Sequence, residues 1–101
     1  MNSVFKALSD STRRKVLEML RGGPLTAGQL SDAFDVSKPT MSAHFNVLKE
    51  AGLVSTHKDG KSVIYRLRLS VLEDALLTFG KMFGFGQAVA ENEPVKKDFY
   101  K

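Results

Sequence analysis

Apolar residues recur along this chain first with a helical period and then with a strand period, and the switch falls at Gly52. Met1, Val4, Phe5 and Leu8 take positions 1, 4, 5 and 8 of a short amphipathic helix. Ser9-Asp10-Ser11 breaks it and offers a cap for a second helix, predicted from about Ser11 to Arg21 with Val16, Leu17 and Leu20 inward. Gly22-Gly23-Pro24 stops that helix. Thr26 caps a third, Ala27 to Phe34, whose inward residues are Leu30, Ala33 and Phe34. Asp35-Val36 leads tightly to a fourth. There Ser37 is a natural N-cap, and Lys38-Pro39 fill the first helical positions, where proline forfeits no hydrogen bond. Met41, Phe45 and Leu48 form one stripe at i, i+4 and i+7, and Gly52 ends the helix as a C′ glycine. Two helices joined by so short a turn make a helix-turn-helix unit.

After Gly52 the period becomes two. Leu53–His57 reads as a strand, Lys58-Asp59-Gly60-Lys61 as a hairpin turn with the Asp-Gly signal, and Ser62–Leu67 as the returning strand. A last helix begins near Ser70. Leu72, Ala75, Leu76, Phe79 and Phe83 mark its apolar face, widened by Leu77 and Met82. The segment from Gly84 on mixes charges, glycines and a proline, so residues 85–101 are expected to be a flexible C-terminal tail after a single domain of residues 1–84. The expected fold is mainly α with a small β-hairpin: four helices, two strands and a fifth helix, a winged helix-turn-helix.

Composition narrows the class. A chain of 101 residues with 43% hydrophobic positions supports one modest core, and a core shared between two copies would help it. The absence of cysteine excludes disulfides and thiolate metal sites. No apolar run approaches the ~18 residues of a membrane span, and the opening MNSVFKALSD lacks a signal-peptide block. A soluble, cytoplasmic protein without membrane insertion is expected. Residues 37–68 hold six basic residues (Lys38, Lys49, Lys58, Lys61, Arg66, Arg68) against Glu50 and Asp59, so this segment carries the whole net charge of +4. Positive charge confined to one part of a domain is the electrostatic footprint of a polyanion partner.

The fourth helix adds chemistry to that footprint. Opposite its apolar stripe lie Pro39, Thr40, Ser42, Ala43 and Asn46, short side chains with no acid before Glu50. A helix that enters a DNA groove needs short donors and acceptors and little negative charge. Asn46 can pair bidentately with adenine, Ser42 and Thr40 can bond bases or phosphates, and Pro39 and Ala43 can touch a thymine methyl. Lys38 at the helix start suits a phosphate, and Ser37 either caps the helix or reaches one. His44 lies where the stripe meets this face, and two readings stay open: a packed histidine, or a phosphate or base contact. Lys58 and Lys61 at the hairpin tip suit the minor groove or flanking phosphates. Arg13 and Arg14 open the second helix against its dipole, so something should compensate them. Phosphate contact and an internal packing or ion-pair role are the two possibilities, and the internal one is favoured. Thr26 can also offer its amide to a phosphate.

The segments LSDSTRRKVLEML, LTAGQLSDAF and SKPTMSAHFNVLKEAGLVSTHKDGKSVIYRL, in that order and spacing, resemble the ArsR family of bacterial transcriptional repressors over about residues 3–84. Within it the chain is most similar to the SdpR-type autorepressors, which lack metal-ligand cysteines. The resemblance implies a dimer that binds an inverted-repeat operator in double-stranded DNA and represses, often at its own promoter. It also places a histidine at position 44 and an arginine at position 13, near the domain's acidic groups. The apolar faces of the terminal helices (Val4, Phe5 and Leu8 with Leu72, Ala75, Leu76, Phe79 and Phe83) fit the homodimer interface. No cofactor is expected. Glu73 and Asp74 point apart on their helix and make a poor metal site. Control could come through a regulatory protein partner, a small ligand at the dimer interface, or expression level. No constellation suggests an enzyme. The competing reading is a winged-helix module for protein assembly without sequence-specific DNA binding.

Overall fold

The computed structural model describes residues 2–84; the expected tail at 85–101 and the apolar Met1 lie outside the described residues. The elements follow the order α1 (Asn2–Leu8), α2 (Ser11–Leu20), β1 (Leu25–Thr26), α3 (Ala27–Asp32), α4 (Lys38–Glu50), β2 (Val54–Asp59), β3 (Ser62–Leu67) and α5 (Leu69–Met82). Residues up to Leu69 make one compact unit, and α5 continues from Ser70 in a second. No helix among the described residues is long and apolar enough to cross a membrane.

Local chemistry explains where the helices start. Asp10 caps α2 by accepting the amides of Thr12 and Arg13 at 2.8 and 3.1 Å. Thr26 and Gln29 form a capping box at α3: the Thr26 hydroxyl accepts the Gln29 amide at 3.0 Å, and Gln29 Oε1 accepts the Thr26 amide at 2.9 Å. Helix α4 ends in a Schellman motif. The Gly52 amide donates to the Lys49 carbonyl and the Leu53 amide to the Leu48 carbonyl, at 2.9 and 3.1 Å, with Gly52 at φ 74°. Leu48 and Leu53 are both fully buried, so the same motif also sets two core side chains.

Three boundaries differ from the periodic reading. Helix α3 stops at Asp32, two residues early, because its last turn tightens: Ala33 bonds back to Leu30 and Phe34 to Ser31. Ala33, expected inside, is therefore exposed, and Phe34 is only half-buried. The first wing strand runs Val54–Asp59 rather than Leu53–His57, and Asp59 pairs with Ser62. The turn is thus the two residues Gly60-Lys61, with Gly60 at φ 64° supplying the left-handed position a tight hairpin needs. The wing is also part of a three-stranded antiparallel sheet, ordered β1-β3-β2, in which Leu25 faces Tyr65 and Thr26 faces Ile64.

The core joins the helices to the sheet. Val16, Leu17 and Leu20 of α2, Leu30 of α3, and Met41, Phe45 and Leu48 of α4 are buried with Val4, Leu53, Val54 and Tyr65. The rings of Phe45 and Tyr65 meet at 4.8 Å between centroids, tilted by 36°. Each large apolar side chain sealed here contributes roughly 1.5–3 kcal/mol. Together they set α4 across the α1–α2 corner, with its remaining face outward.

Candidate nucleic-acid interface

That outward face contains Lys38, Pro39, Thr40, Ser42, Ala43 and Asn46, all exposed, while Met41, Phe45 and Leu48 are buried. Successive residues turn by about 100°, which separates the two sets. The first turn contains no acid. Ser37 takes the capping role: its hydroxyl accepts the Thr40 amide at 3.3 Å and donates to Thr40 Oγ1 at 2.9 Å. Among the described residues the side chains of Lys38, Ser42 and Asn46 have no hydrogen-bond partner, so their polar atoms are free for an external one. At the wing, Lys58 and Lys61 are both exposed, Lys61 within the turn and Lys58 opposite Val63.

His44 is placed differently from its neighbours. Its side chain is only 15% exposed, and Arg13 Nη1 lies 3.0 Å from its Nδ1. A guanidinium can only donate, so Nδ1 is the acceptor and the ring proton belongs on Nε2. Nε2 lies 3.8 Å from Asp10 Oδ2. Of the two readings of His44, this geometry matches the packed one.

Arg13 also donates through Nε to the Ala7 carbonyl at 2.8 Å and through Nη2 to the Lys6 carbonyl at 3.0 Å. Arg14 Nη1 donates to the Leu8 carbonyl at 2.7 Å. The two arginines thus cap the negative end of α1, which compensates their position at the positive end of α2. Within the chain their hydrogen bonds go to carbonyls, and the charge of Arg13 also acts on the Asp10 carboxylate. Thr26 cannot offer its amide outward, because Gln29 already accepts it. Partial desolvation pushes the Asp10 carboxyl up. The Arg13 amide, the neighbouring His44 ring, the Thr12 amide and the Arg13 guanidinium together outweigh it and hold the group below its usual range.

The sequence reading missed two features. The Thr-x-x-Gln spacing at Thr26 and Gln29 was a readable signal for the capping box. The Arg13–His44 bond joins residues 31 positions apart and has no local signature.

Of the expected dimer face, Val4 and Ala75 are buried, and Phe5, Leu8 and Leu72 are half-buried. Leu76, Phe79 and Phe83 are exposed, as are Leu69, Leu77 and Met82. Phe79 and Phe83 pack ring against ring at 5.0 Å. Among the described residues no three His, Asp or Glu side chains converge into a metal site, and the chain has no cysteine to supply thiolate ligands.

A helix-turn-helix with a basic wing and a free, acid-poor face on its second helix defines a winged-helix DNA-binding regulator. The model of the family described as "Bacterial regulatory protein, arsR family" matches residues 10–56. The transcriptional repressor SdpR of Bacillus subtilis (strain 168) is 49% identical over 76 residues, covering 75% of this chain and 84% of that protein. An arsenical resistance operon repressor of Staphylococcus aureus is 38% identical over 76 residues, covering 75% and 73%. Among solved structures, an ArsR-like transcriptional regulator from Rhodococcus sp. RHA1 superposes with a TM-score of 0.73 at 31% identity, over 89% of this chain and 86% of that one. The chain belongs to the ArsR family of bacterial regulators, DNA-binding transcription factors rather than enzymes.

Proposed function

We propose that this protein is a homodimeric transcriptional repressor that binds an inverted-repeat operator and acts at its own promoter. Helix α4 lies in the major groove, with Ser42, Asn46 and Thr40 toward base edges and Lys38 toward a phosphate. Lys58 and Lys61 of the wing hold the flanking backbone or minor groove. The observation that carries this reading is the face of α4 itself: six exposed short or basic residues from Lys38 to Asn46 without an acid among them. The repressors of B. subtilis and S. aureus, named as such, support the direction of regulation.

The exposed apolar side chains of α5 support a second copy as the dimer partner. A two-fold axis would set two α4 helices one DNA turn or a multiple apart, about 34–36 Å per turn. Footprinting on the DNA upstream of the protein's own reading frame tests the proposal. The expected result is a protected palindrome with half-site centres one or more turns apart, and protection should weaken steeply with salt. Protection without two-fold symmetry, or a flat salt response, refutes it.

A further inference from the structure

The Arg13 guanidinium spans three elements. It sits in the first turn of α2, takes the last carbonyls of α1 with two nitrogens, and places a third on His44 of α4. His44 is the residue at which the buried stripe of α4 gives way to its exposed face. Side-chain tips stand roughly 5–6 Å from a helix axis, so a roll of about 20° would move the outward residues by roughly 2 Å. A hydrogen bond tolerates only a few tenths of an ångström. Close packing of Met41, Phe45 and Leu48 sets the coarse orientation of the helix from its buried side. A fixed fork on one edge of the helix resists such a roll directionally.

We propose that Arg13 is a positioning residue for operator recognition: through His44 Nδ1 it fixes the roll of α4 on the α1–α2 corner, so that His44 holds the reading helix and does not itself read bases. The role rests on the DNA-binding function proposed above. It assigns each ring nitrogen a task. Nδ1 must remain an acceptor for Arg13, while Nε2 carries the proton toward Asp10, whose carboxylate is fixed in turn by the Thr12 and Arg13 amides.

The two nitrogens can be tested separately. Asparagine places an oxygen acceptor near the position of Nδ1, and glutamine places its amide near that of Nε2. His44→Asn, His44→Gln and Arg13→Lys should each be measured by fluorescence anisotropy on the footprinted operator and on a random duplex of equal length. Thermal melts would correct for the folded fraction. The expected result is that His44→Asn keeps the wild-type preference for the operator within about threefold. His44→Gln and Arg13→Lys should lose about tenfold or more of it, the size of one lost base pairing. Affinity for the random duplex should stay within about twofold in all three, because no phosphate-facing charge changes. Nitrogen NMR of the wild-type imidazole should show the Nε2–H tautomer, and Arg13→Lys should loosen that bias.

If His44 read a base through Nε2, the order would invert: glutamine would preserve the preference and asparagine would lose it. That result, full preference in both His44→Gln and Arg13→Lys, or an Nδ1–H tautomer in the wild type overturns the positioning role and leaves the DNA-binding function standing. A wild type that shows no preference for the operator removes that function and this role together.

Discussion

Replacing Asp10 tests the corner on which α4 rests. One of its oxygens accepts two amides of α2, so Asp10→Ala leaves two helix-end donors to water or to no partner. Loss of an N-cap of this kind costs about 0.5–2 kcal/mol. Asparagine caps about as well as aspartate, so Asp10→Asn keeps most of that and loses the charge, worth roughly 0.3–1 kcal/mol beside a helix N-terminus. The side chain is 37% exposed, so solvent screening keeps the charge part at the lower end. Urea unfolding at pH 7 and fixed protein concentration should therefore rank wild type above Asp10→Asn, and Asp10→Ala last. A deficit of 1 kcal/mol corresponds to a melting shift of about 4–8 °C for a domain of this size.

The pH dependence has a definite sign. The folded carboxyl lies below its ordinary value, so its charge stabilises the fold fully above the unfolded value near ~3.9 and loses that effect as pH falls through the lower folded value. The gap between wild type and Asp10→Asn should close as pH falls below the ordinary carboxylate range. The other carboxylates titrate in both proteins and cancel. Equal stability of Asp10→Ala and wild type, or a gap that persists once the carboxyl is protonated, would show that the Asp10 carboxylate does not hold this corner.

Operator affinity should fall by about 10³–10⁵ between 50 and 200 mM salt if ~6–10 phosphates are neutralised, as read by anisotropy. The double change Ser42→Ala with Asn46→Ala should relax sequence preference by roughly 1–3 kcal/mol per lost base pairing, measured against single-base operator variants. Lys61→Ala should weaken all duplexes alike and reduce the salt slope by about 1. Phe79→Asp should yield monomer by sedimentation and lose operator affinity, and a full-affinity dimer would place the interface elsewhere.

What was legible in the sequence was local. Ser37, Thr26 and Asp10 sit beside the amides they cap, and Gly52 terminates α4 through its own backbone. The stripe Met41–Phe45–Leu48 and its acid-free opposite face follow from helical period alone. Errors arose where a tertiary partner decides. Two-residue β1 has no period to detect, and it is a strand only because β3 lies beside it. The Asp-Gly pair pointed to a turn centred one residue early, because the Asp59–Ser62 pairing leaves Gly60 and Lys61 as its centre. The role of His44 was undecidable from its helix, since the atom that commits it belongs to a residue 31 positions away.

The same distinction separates scaffold from reader. Arg13, Arg14, Thr26 and Ser37 are polar residues near helix ends, and each could be taken for a phosphate ligand. Within the chain their side chains already make bonds, guanidinium to carbonyl and hydroxyl to amide. Lys38, Ser42 and Asn46 are exposed and uncommitted on one helix face, with Lys58 and Lys61 equally free on the wing. A polar side chain that gains nothing from its own fold, repeated along the face of a helix whose roll is fixed by Arg13, is explained most simply by a partner outside the chain. The excess positive charge of the same segment makes that partner an anion.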